Sequence, residues 1–291
     1  MLGTNGYLGR HLTHFLVNQN INVKAYDIQE NAIIAGIKYK KFDISDITDI
    51  QEIDWNVDVV FIFSGLTGTY NGFDKYNQYM QINECGLLNV LTGIRNSSKH
   101  PRIVFPSTRL IYKGSELALT ETATKETKTV YAVNKLACEN ILQAFQYSFD
   151  MNYTIYRICV PYGNVLSGEY SYGTVGFFIN QAKSKFQICL YGDGLLRRTF
   201  THVEDICNQI INTCNRKISK NETYNTIGES YSLKDIAQLI AEKYKVNIKF
   251  IPWPEMDLRI ESGSTVFNSK KIESTFNLQL KHRFTDWLKT F

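Results

Sequence analysis

The sequence predicts an α/β fold: a doubly wound parallel sheet with a smaller, discontinuous C-terminal lobe. Three observations predict it. Apolar runs such as VDVVFIFSG (57–65) and RIVFPST (102–108) recur through the first half. Amphipathic helical segments separate them, and strands covered by helices on both faces read as unbroken apolar runs. Three glycines, Gly3, Gly6 and Gly9, stand where the first helix begins.

The elements follow in order. A helical pattern over 8–18 precedes the strand NVKAYD (22–27) and a second short strand at 38–42. The run 57–65 is followed by a long amphipathic segment, 76–96, and then by the strand 102–108. A helix over 131–149 and the strand YTIYRICV (153–160) complete the alternation, whose crossovers should be right-handed. Past residue 163 the rhythm changes. A Gly-, Ser- and Tyr-rich loop (167–176) leads to a helix, the stretch FQICLYGDG, a helix over 203–214, the helix SLKDIAQLIAEKY and the strand VNIKFI. We expect residues 1–164 plus about 200–230 to form the sheet domain, and about 165–199 plus 231–291 the lobe.

Composition bounds the function. With 44% hydrophobic and 21% charged residues, the 291-residue chain is an ordinary globular protein with enough length for a substantial core. Its net charge of +4 comes from scattered lysines, so neither nucleic acid nor a membrane surface is an expected partner. No apolar run approaches the ~20 residues of a membrane span. Six cysteines without a CxxC pair argue against a disulfide framework or a zinc site and for reduced thiols in a cytoplasmic protein. The five histidines show no metal-ligand spacing, and no metal is expected.

Glycines spaced GxxGxxG permit a tight turn, close approach of backbone to a pyrophosphate, and close helix–strand packing, while the helix N-terminus offers unpaired N–H groups. Taken alone, the spacing is also that of an ordinary glycine turn. Asp27 adds to it. It ends the next strand near the offset of an acid that hydrogen-bonds an adenosine ribose, and it would repel a 2′-phosphate, favouring NAD over NADP. Asp27 also reads as a plain strand-end turn residue.

YAVNK places Tyr131 and Lys135 four apart on one helix face. A lysine ammonium beside a phenol favours phenolate, lowering a pKa that is ordinarily about 10. Such a tyrosine can take or return a hydroxyl proton during hydride transfer. YxxxK is also a common surface pairing. Thr108, at the C-terminal end of its strand, stands at the sheet edge where ligands bind.

GTNGYLG, Asp27, Asp43-Ile44 in KFDISD, FSGLTG, STRLIY, YAVNK, RICVPYG and GDGLLRRTFTHVED, in this order, resemble the extended short-chain dehydrogenase/reductase family over nearly the whole chain. The resemblance implies a Rossmann-like sheet with a substrate-binding lobe, bound NAD, a nucleotide-diphosphate sugar substrate, and a homodimer paired through the helices at 76–96 and 131–149. Gly3, Gly6 and Gly9 would line the pyrophosphate, with Asn5, Tyr7, Leu8 and Ile28 also at the cofactor. Asp27 would hold the adenosine ribose, Asp43 and Ile44 would flank the adenine, and Ser64 and Gly65 would border the cofactor. Thr108, Tyr131 and Lys135 would form the catalytic triad, Lys135 also bonding the nicotinamide ribose. Arg198 would grip the substrate diphosphate. Arg259 fits a second phosphate ligand or a solvated tail residue, and Tyr191 fits a base-packing position or a plain core aromatic.

Departures from the family narrow the reaction. Dehydratases of this family follow the triad threonine with an Asp-Glu pair, whereas Arg109 and Leu110 follow Thr108, which disfavours dehydration. A 4-epimerase, oxidising C4 and returning hydride to the other face, leads. An NAD(P)H-dependent 4-keto-6-deoxysugar-nucleotide reductase is the alternative, and an inactive cofactor-sensing member is the reading outside enzymology. Val160 replaces a substrate-contacting asparagine, and Thr199 replaces an aspartate that would orient Arg198. One expectation is structural. Only Met1 and Leu2 precede the turn, although the first strand of such a sheet is central. Either the natural chain begins several apolar residues upstream, or the central strand is short and its neighbours lack ladder partners.

Overall fold

A computed structural model describes residues 1–168, 170 and 172–291; Glu169 and Ser171, in the loop expected at 167–176, lie outside the described residues. The chain begins with α1 (Tyr7–Asn18), β1 (Lys24–Asp27), β2 (Lys38–Lys41), α2 (Ile47–Gln51) and β3 (Val59–Phe61). Two short helices, α3 (Asn71–Asp74) and α4 (Tyr76–Tyr79), lead through a π-helical stretch, Met80–Cys85, into α5 (Gly86–Arg95). Then come β4 (Arg102–Thr108), α6 (Val130–Phe149), β5 (Tyr153–Ile158), β6 (Val160–Tyr162), α7 (Gly173–Lys185), β7 (Gln187–Tyr191) and β8 (Arg197–His202). The chain continues with α8 (Val203–Thr213), β9 (Glu222–Asn225), β10 (Glu229–Ser232), α9 (Leu233–Tyr244), β11 (Asn247–Ile251), α10 (Glu255–Ile260), α11 (Lys270–Phe276) and α12 (Phe284–Thr290).

Two compact units result. The first comprises Met1–Ile111, Thr129–Arg157 and Ile210–Tyr224; the second comprises Tyr112–Lys128, Ile158–Gln209 and Asn225–Phe291.

The first unit is Rossmann-like, an α/β arrangement on a parallel sheet. β1 pairs in parallel with β2, and β3 pairs in parallel with β4 in a sheet ordered β3-β4-β5-β9. Leu2 joins the two sets, bridging in parallel to Tyr26 on one side and Ile62 on the other. Its N–H donates to Phe61 O at 2.9 Å and its carbonyl accepts from Phe63 N at 2.8 Å. Tyr26 N donates to Met1 O at 2.9 Å, and Gly3 N donates to Tyr26 O at 2.8 Å. The central strand is thus one residue of bridge, with both neighbours satisfied at that level. Beside it lies a cavity of about 460 Å³, lined by Met1, Leu2, Val23, Lys24, Trp55 and Val59 among others.

Leu2, Phe42, Ile62, Leu87, Val90, Ile103, Phe105, Leu142 and Ile155 belong to one buried cluster between the sheet and α5 and α6. Every residue of β5 is buried, including Thr154, whose hydroxyl donates to Ser219 O at 2.8 Å, and Arg157, paired with Glu139 at 2.6 Å. Helix α6 starts where the Thr129 hydroxyl accepts from Ala132 N at 3.1 Å and stops at left-handed Asp150.

Two elements differ from the sequence expectation. The segment 76–96 is helical but not uniformly α-helical, because the turn at Met80–Cys85 inserts π-helical geometry. The apolar run 153–160 is two strands: β5 stays in the first unit's sheet, while β6 pairs in parallel with β8 in the second unit. An apolar run cannot reveal a change of sheet.

In the second unit β8 lies between β6 and antiparallel β10, and β7 pairs in parallel with β11. A capping box, Ser232 with Asp235, starts α9. Tyr162, Phe284 and Trp287 pack ring against ring at centroid distances of 5.0–5.6 Å. Among the described residues no helix is long and apolar enough to cross a membrane.

Candidate active site

The glycine turn is set by backbone contact. Gly3 has φ +81°, and a Cβ there would lie 2.4 Å from Ser64 N; a Cβ on Gly9 would lie 1.9 Å from Gly3 O. Both positions are glycine because the fold leaves no room. Gly6 differs. It is exposed with an ordinary φ of −61°, and a Cβ would meet only Gly3 O at 3.5 Å. Gly6 is the N-cap of α1, with no side-chain cap bond and no acid in the first turn. The helix therefore presents its first N–H groups beside a bare backbone, a cradle that an anion fits. Tyr7 and Leu8 open that helix.

At the end of β1, Asp27 is buried; its carboxylate accepts from Asn5 N at 2.8 Å and Gln29 N at 3.3 Å. Ile28, next in sequence, is exposed. Asp43 forms a local turn, accepting from Ser45 N and Oγ, while its own N–H donates to Asp49. Ile44 is buried against Gly86, where a Cβ would lie 2.9 Å from Ile44 Cγ2. Local packing thus engages both members of the Asp43-Ile44 pair.

The segment after β3 meets the glycine turn at Ser64. Its next residue, Gly65, sits against Asn83, and a Cβ would lie 2.9 Å from Asn83 Oδ1. Asn83 is a residue that sequence reading missed. From the π-helical turn its Oδ1 accepts from Leu66 N at 2.7 Å and its Nδ2 donates to Leu66 O at 3.1 Å. Nδ2 also lies 3.5 Å from Asn134 Oδ1 on α6, between Tyr131 and Lys135. One amide thus ties the post-β3 segment to the helix carrying YAVNK. A 3.6-residue period carries no signal for a residue in a π turn.

Thr108 ends β4, buried, with its Oγ1 accepting from Leu110 N at 3.3 Å. Ser107, beside it, is buried with a hydroxyl that has no hydrogen-bond partner among the described residues. Tyr131 is half-buried in the first turn of α6. Lys135, one turn on, is buried; its Nζ donates to Pro106 O at 2.8 Å, sits 4.2 Å from the Phe105 ring centroid and 6.0 Å from that of Tyr131. No carboxylate forms an ion pair with Lys135 among the described residues, so its charge faces aromatic rings and a carbonyl. Burial pulls its pKa down to about 8. The structure thus brings Lys135 to the strand that ends in Thr108, with the Tyr131 ring 6.0 Å from its Nζ. The start of α1 at Gly6, the buried acceptor Asp27 and the Ser107 hydroxyl suit a dinucleotide, with its anionic pyrophosphate, ribose hydroxyls and amide.

In the second unit Val160 opens β6, buried. Tyr191, at the end of β7, is 40% exposed, and its ring lies 5.1 Å from that of Trp253. It is no core aromatic, and Trp253 is a partner that sequence reading missed. Arg198 is 2% exposed, donating to Glu261 Oε1 at 2.7 Å, Gly263 O at 2.5 Å and Arg197 O at 3.0 Å. Thr199 does not orient it: the Thr199 hydroxyl accepts from Phe267 N at 2.8 Å, and Glu261 takes the orienting position. Arg259 is an exposed residue of α10, ion-paired with Glu255 one turn earlier.

His202, Glu204 and His282 each bring a donor atom within 4.8 Å of the others, which sequence spacing could not show. The imidazoles stack at 4.2 Å and 26° instead of converging, and His202 Nδ1 accepts from Glu204 N at 3.3 Å.

Residues 1–226 match the model of the NAD dependent epimerase/dehydratase family. Among curated relatives, a UDP-glucose 4-epimerase of Mycoplasma genitalium is 26% identical, covering 99% of this chain and 93% of its own. A UDP-N-acetyl-alpha-D-glucosaminuronate decarboxylase of Bacillus cytotoxicus is 25% identical over 87% of this chain and 82% of its own. Among solved structures, the Thermus thermophilus UDP-glucose 4-epimerase in complex with NAD superposes with a TM-score of 0.86 at 19% identity, covering 99% of this chain and 95% of its own, and shares the fold.

Proposed function

This chain belongs to the NAD dependent epimerase/dehydratase family, and from that premise we propose that it is a nucleotide-sugar 4-epimerase working with bound NAD. Membership makes it an enzyme of the nucleotide-sugar epimerase/dehydratase group. The observation that carries the reading is Lys135, a buried cation that forms no ion pair among the described residues, its Nζ bonded to Pro106 O in the strand that ends in Thr108 and 6.0 Å from the ring centroid of Tyr131.

Bound NAD supplies the hydride acceptor and donor. The protein's part is proton handling. Tyr131, with phenolate favoured by the Lys135 ammonium, takes the proton of the sugar C4 hydroxyl as the C4–H bond breaks. It returns that proton when C4 is reduced on the opposite face, so the cycle has no net redox change. Thr108 Oγ1 donates to the same oxygen and fixes its direction. Arg109 and Leu110 lack the carboxylates that elimination of water would need, which favours epimerisation within the family. Arg198 and Arg259 are the diphosphate ligands in this reading, and Tyr191 the base-packing ring.

A second copy of the chain is the proposed cover for Tyr76, Met80, Leu88 and Val133, all exposed on the helices of 76–95 and on α6. Light scattering at micromolar concentration then gives a dimer mass, and a monomer removes the idea.

The direct test is incubation with UDP-glucose, UDP-GlcNAc and their C4 epimers without added reductant. Interconversion is expected for at least one pair. Oxidation of NAD(P)H by a 4-keto-6-deoxysugar nucleotide, with no interconversion, would replace the epimerase by a reductase.

A further inference from the structure

Asn5 is 5% exposed, and each polar atom of its side chain is engaged. Its Nδ2 donates to Asn31 O at 2.8 Å and Gln29 Oε1 at 3.1 Å, with Tyr39 Oη at 3.4 Å; its Oδ1 accepts from Ile33 N at 2.9 Å. An amide has two donor hydrogens, so the two shorter contacts take them. Tyr39, from β2, donates its own hydroxyl to Gln29 O at 2.5 Å. These bonds converge on residues 29–33, an irregular segment after β1 that is exposed along nearly its whole length.

Burying an amide is favourable only when its bonds are made, and here every bond orders that exposed segment. The segment borders Asp27, to whose carboxylate Gln29 N donates, while Asn5's backbone N–H holds the other carboxylate oxygen. Asn5 therefore fixes both the acceptor and its wall. The segment also carries Glu30, paired with Lys41, which is the β-register partner of Asp27. A cation in register with Asp27 is thus ion-paired with the segment that Asn5 pins.

We propose that Asn5 is a positioning residue that sets the preference for NAD over NADP, by pinning residues 29–33 so that Asp27 is presented to ribose hydroxyls and Lys41 stays bound to Glu30. The proposal rests on the NAD reading above.

Asn5→Ala and Tyr39→Phe are compared with the parent by calorimetric titration of NAD, NADP and ADP-ribose, and by hydrogen exchange at the Ile33 amide. Asn5→Ala is expected to weaken NAD and ADP-ribose about tenfold, the size of effect a lost polar anchor gives, and to leave NADP nearly unchanged, narrowing the ratio. Its Ile33 amide exchanges faster without any cofactor present. Tyr39→Phe moves the ratio the same way by less, and it carries the test if Asn5→Ala does not fold. A parent that binds NAD while both variants keep its NAD:NADP ratio overturns the role of Asn5 alone. A parent that binds neither NAD nor ADP-ribose overturns the cofactor reading with it. Unchanged exchange at Ile33 in Asn5→Ala overturns the pinning itself.

Discussion

The carbonyl oxygen of Gly3 occupies the place where a side chain on Gly9 would begin, 1.9 Å from the Cβ position. Turn and helix α1 touch backbone to backbone there, and no rotamer can relieve an added methyl. Gly9→Ala is expected to cost about 2 kcal/mol or more through overpacking, read as a lowered Tm. Gly6→Ala has room in the fold. It should keep the parental Tm within about 2 °C and, if the turn holds the pyrophosphate as proposed, still lose NAD affinity by tenfold or more in calorimetry, because the methyl would meet that group. Equal NAD affinity in Gly6→Ala would remove the phosphate from this turn.

Lys135 makes stability depend on pH in a defined sense. Its pKa is about 8 in the fold, against 10.5 for the ordinary group, because burial disfavours the cation. Below pH 8 both states hold the proton and the cost of burying it is fully present. Between about 8 and 10.5 the folded state gives up the proton first, so the unfolded state binds more protons and stability rises with pH. Lys135→Met removes the cost at all pH values. Its advantage over the parent in chemical denaturation is expected to be at most about 3 kcal/mol at pH 7 and to shrink toward pH 9. Buried Cys207 and Cys214, with pKa values raised by burial, act in the opposite sense above pH 9 and cancel in the difference; Cys138, whose thiol the Lys135 ammonium pulls down against burial, does not cancel, so the comparison is read below pH 9.

The same proton has a kinetic signature. Loss of the ammonium removes the charge that favours the Tyr131 phenolate, so kcat/KM should fall on the alkaline side from about pH 8. Lys135→Met should lack that limb altogether. A parental profile flat to pH 10 would separate Lys135 from the proton transfer.

Asn83 holds both backbone groups of Leu66, and its truncation strands them. Asn83→Ala is expected to lose about 1–3 kcal/mol of stability and to weaken NAD, since the released segment begins at Ser64 and Gly65. Asn83→Asp keeps the acceptor for Leu66 N–H and should lie between the two. Wild-type NAD affinity in Asn83→Ala would show that the segment does not border the cofactor.

What the sequence makes legible is what depends on near neighbours. The glycine turn, Asp27 at a strand end and the Tyr131–Lys135 spacing are each set within a few residues, and α6 follows from its apolar period. Asn83 is hidden because a π turn shifts the helical register. Glu261 is hidden because its partner, Arg198, is 63 residues away in the chain. The switch of sheet at Cys159 is hidden because both strands are equally apolar. Long-range partners replaced the nearby ones that the motif suggested, as Glu261 replaced Thr199.

Glu261 is also a point of thermodynamic leverage. Glu261→Gln leaves Arg198 buried beside a neutral amide and should cost about 3 kcal/mol, while replacing both residues by methionine should cost less than that single change. Additive losses in the cycle of Arg198→Met, Glu261→Met and the double variant, followed by urea denaturation, would mean that the pair is not coupled.

Leu2 is where the hydrogen-bonded continuity of the first unit narrows to a single rung, since β1 and β2 reach β3 through it. A sheet joined that way has a seam. Partial opening along it would release the parallel β1–β2 margin, Asp27 included, as one cooperative block while β3, β4, β5 and β9 stay paired. Amides of β1 and β2 would then exchange together, at a lower opening energy than those of β4, and a ligand seated on both sides of the seam would act as its stitch.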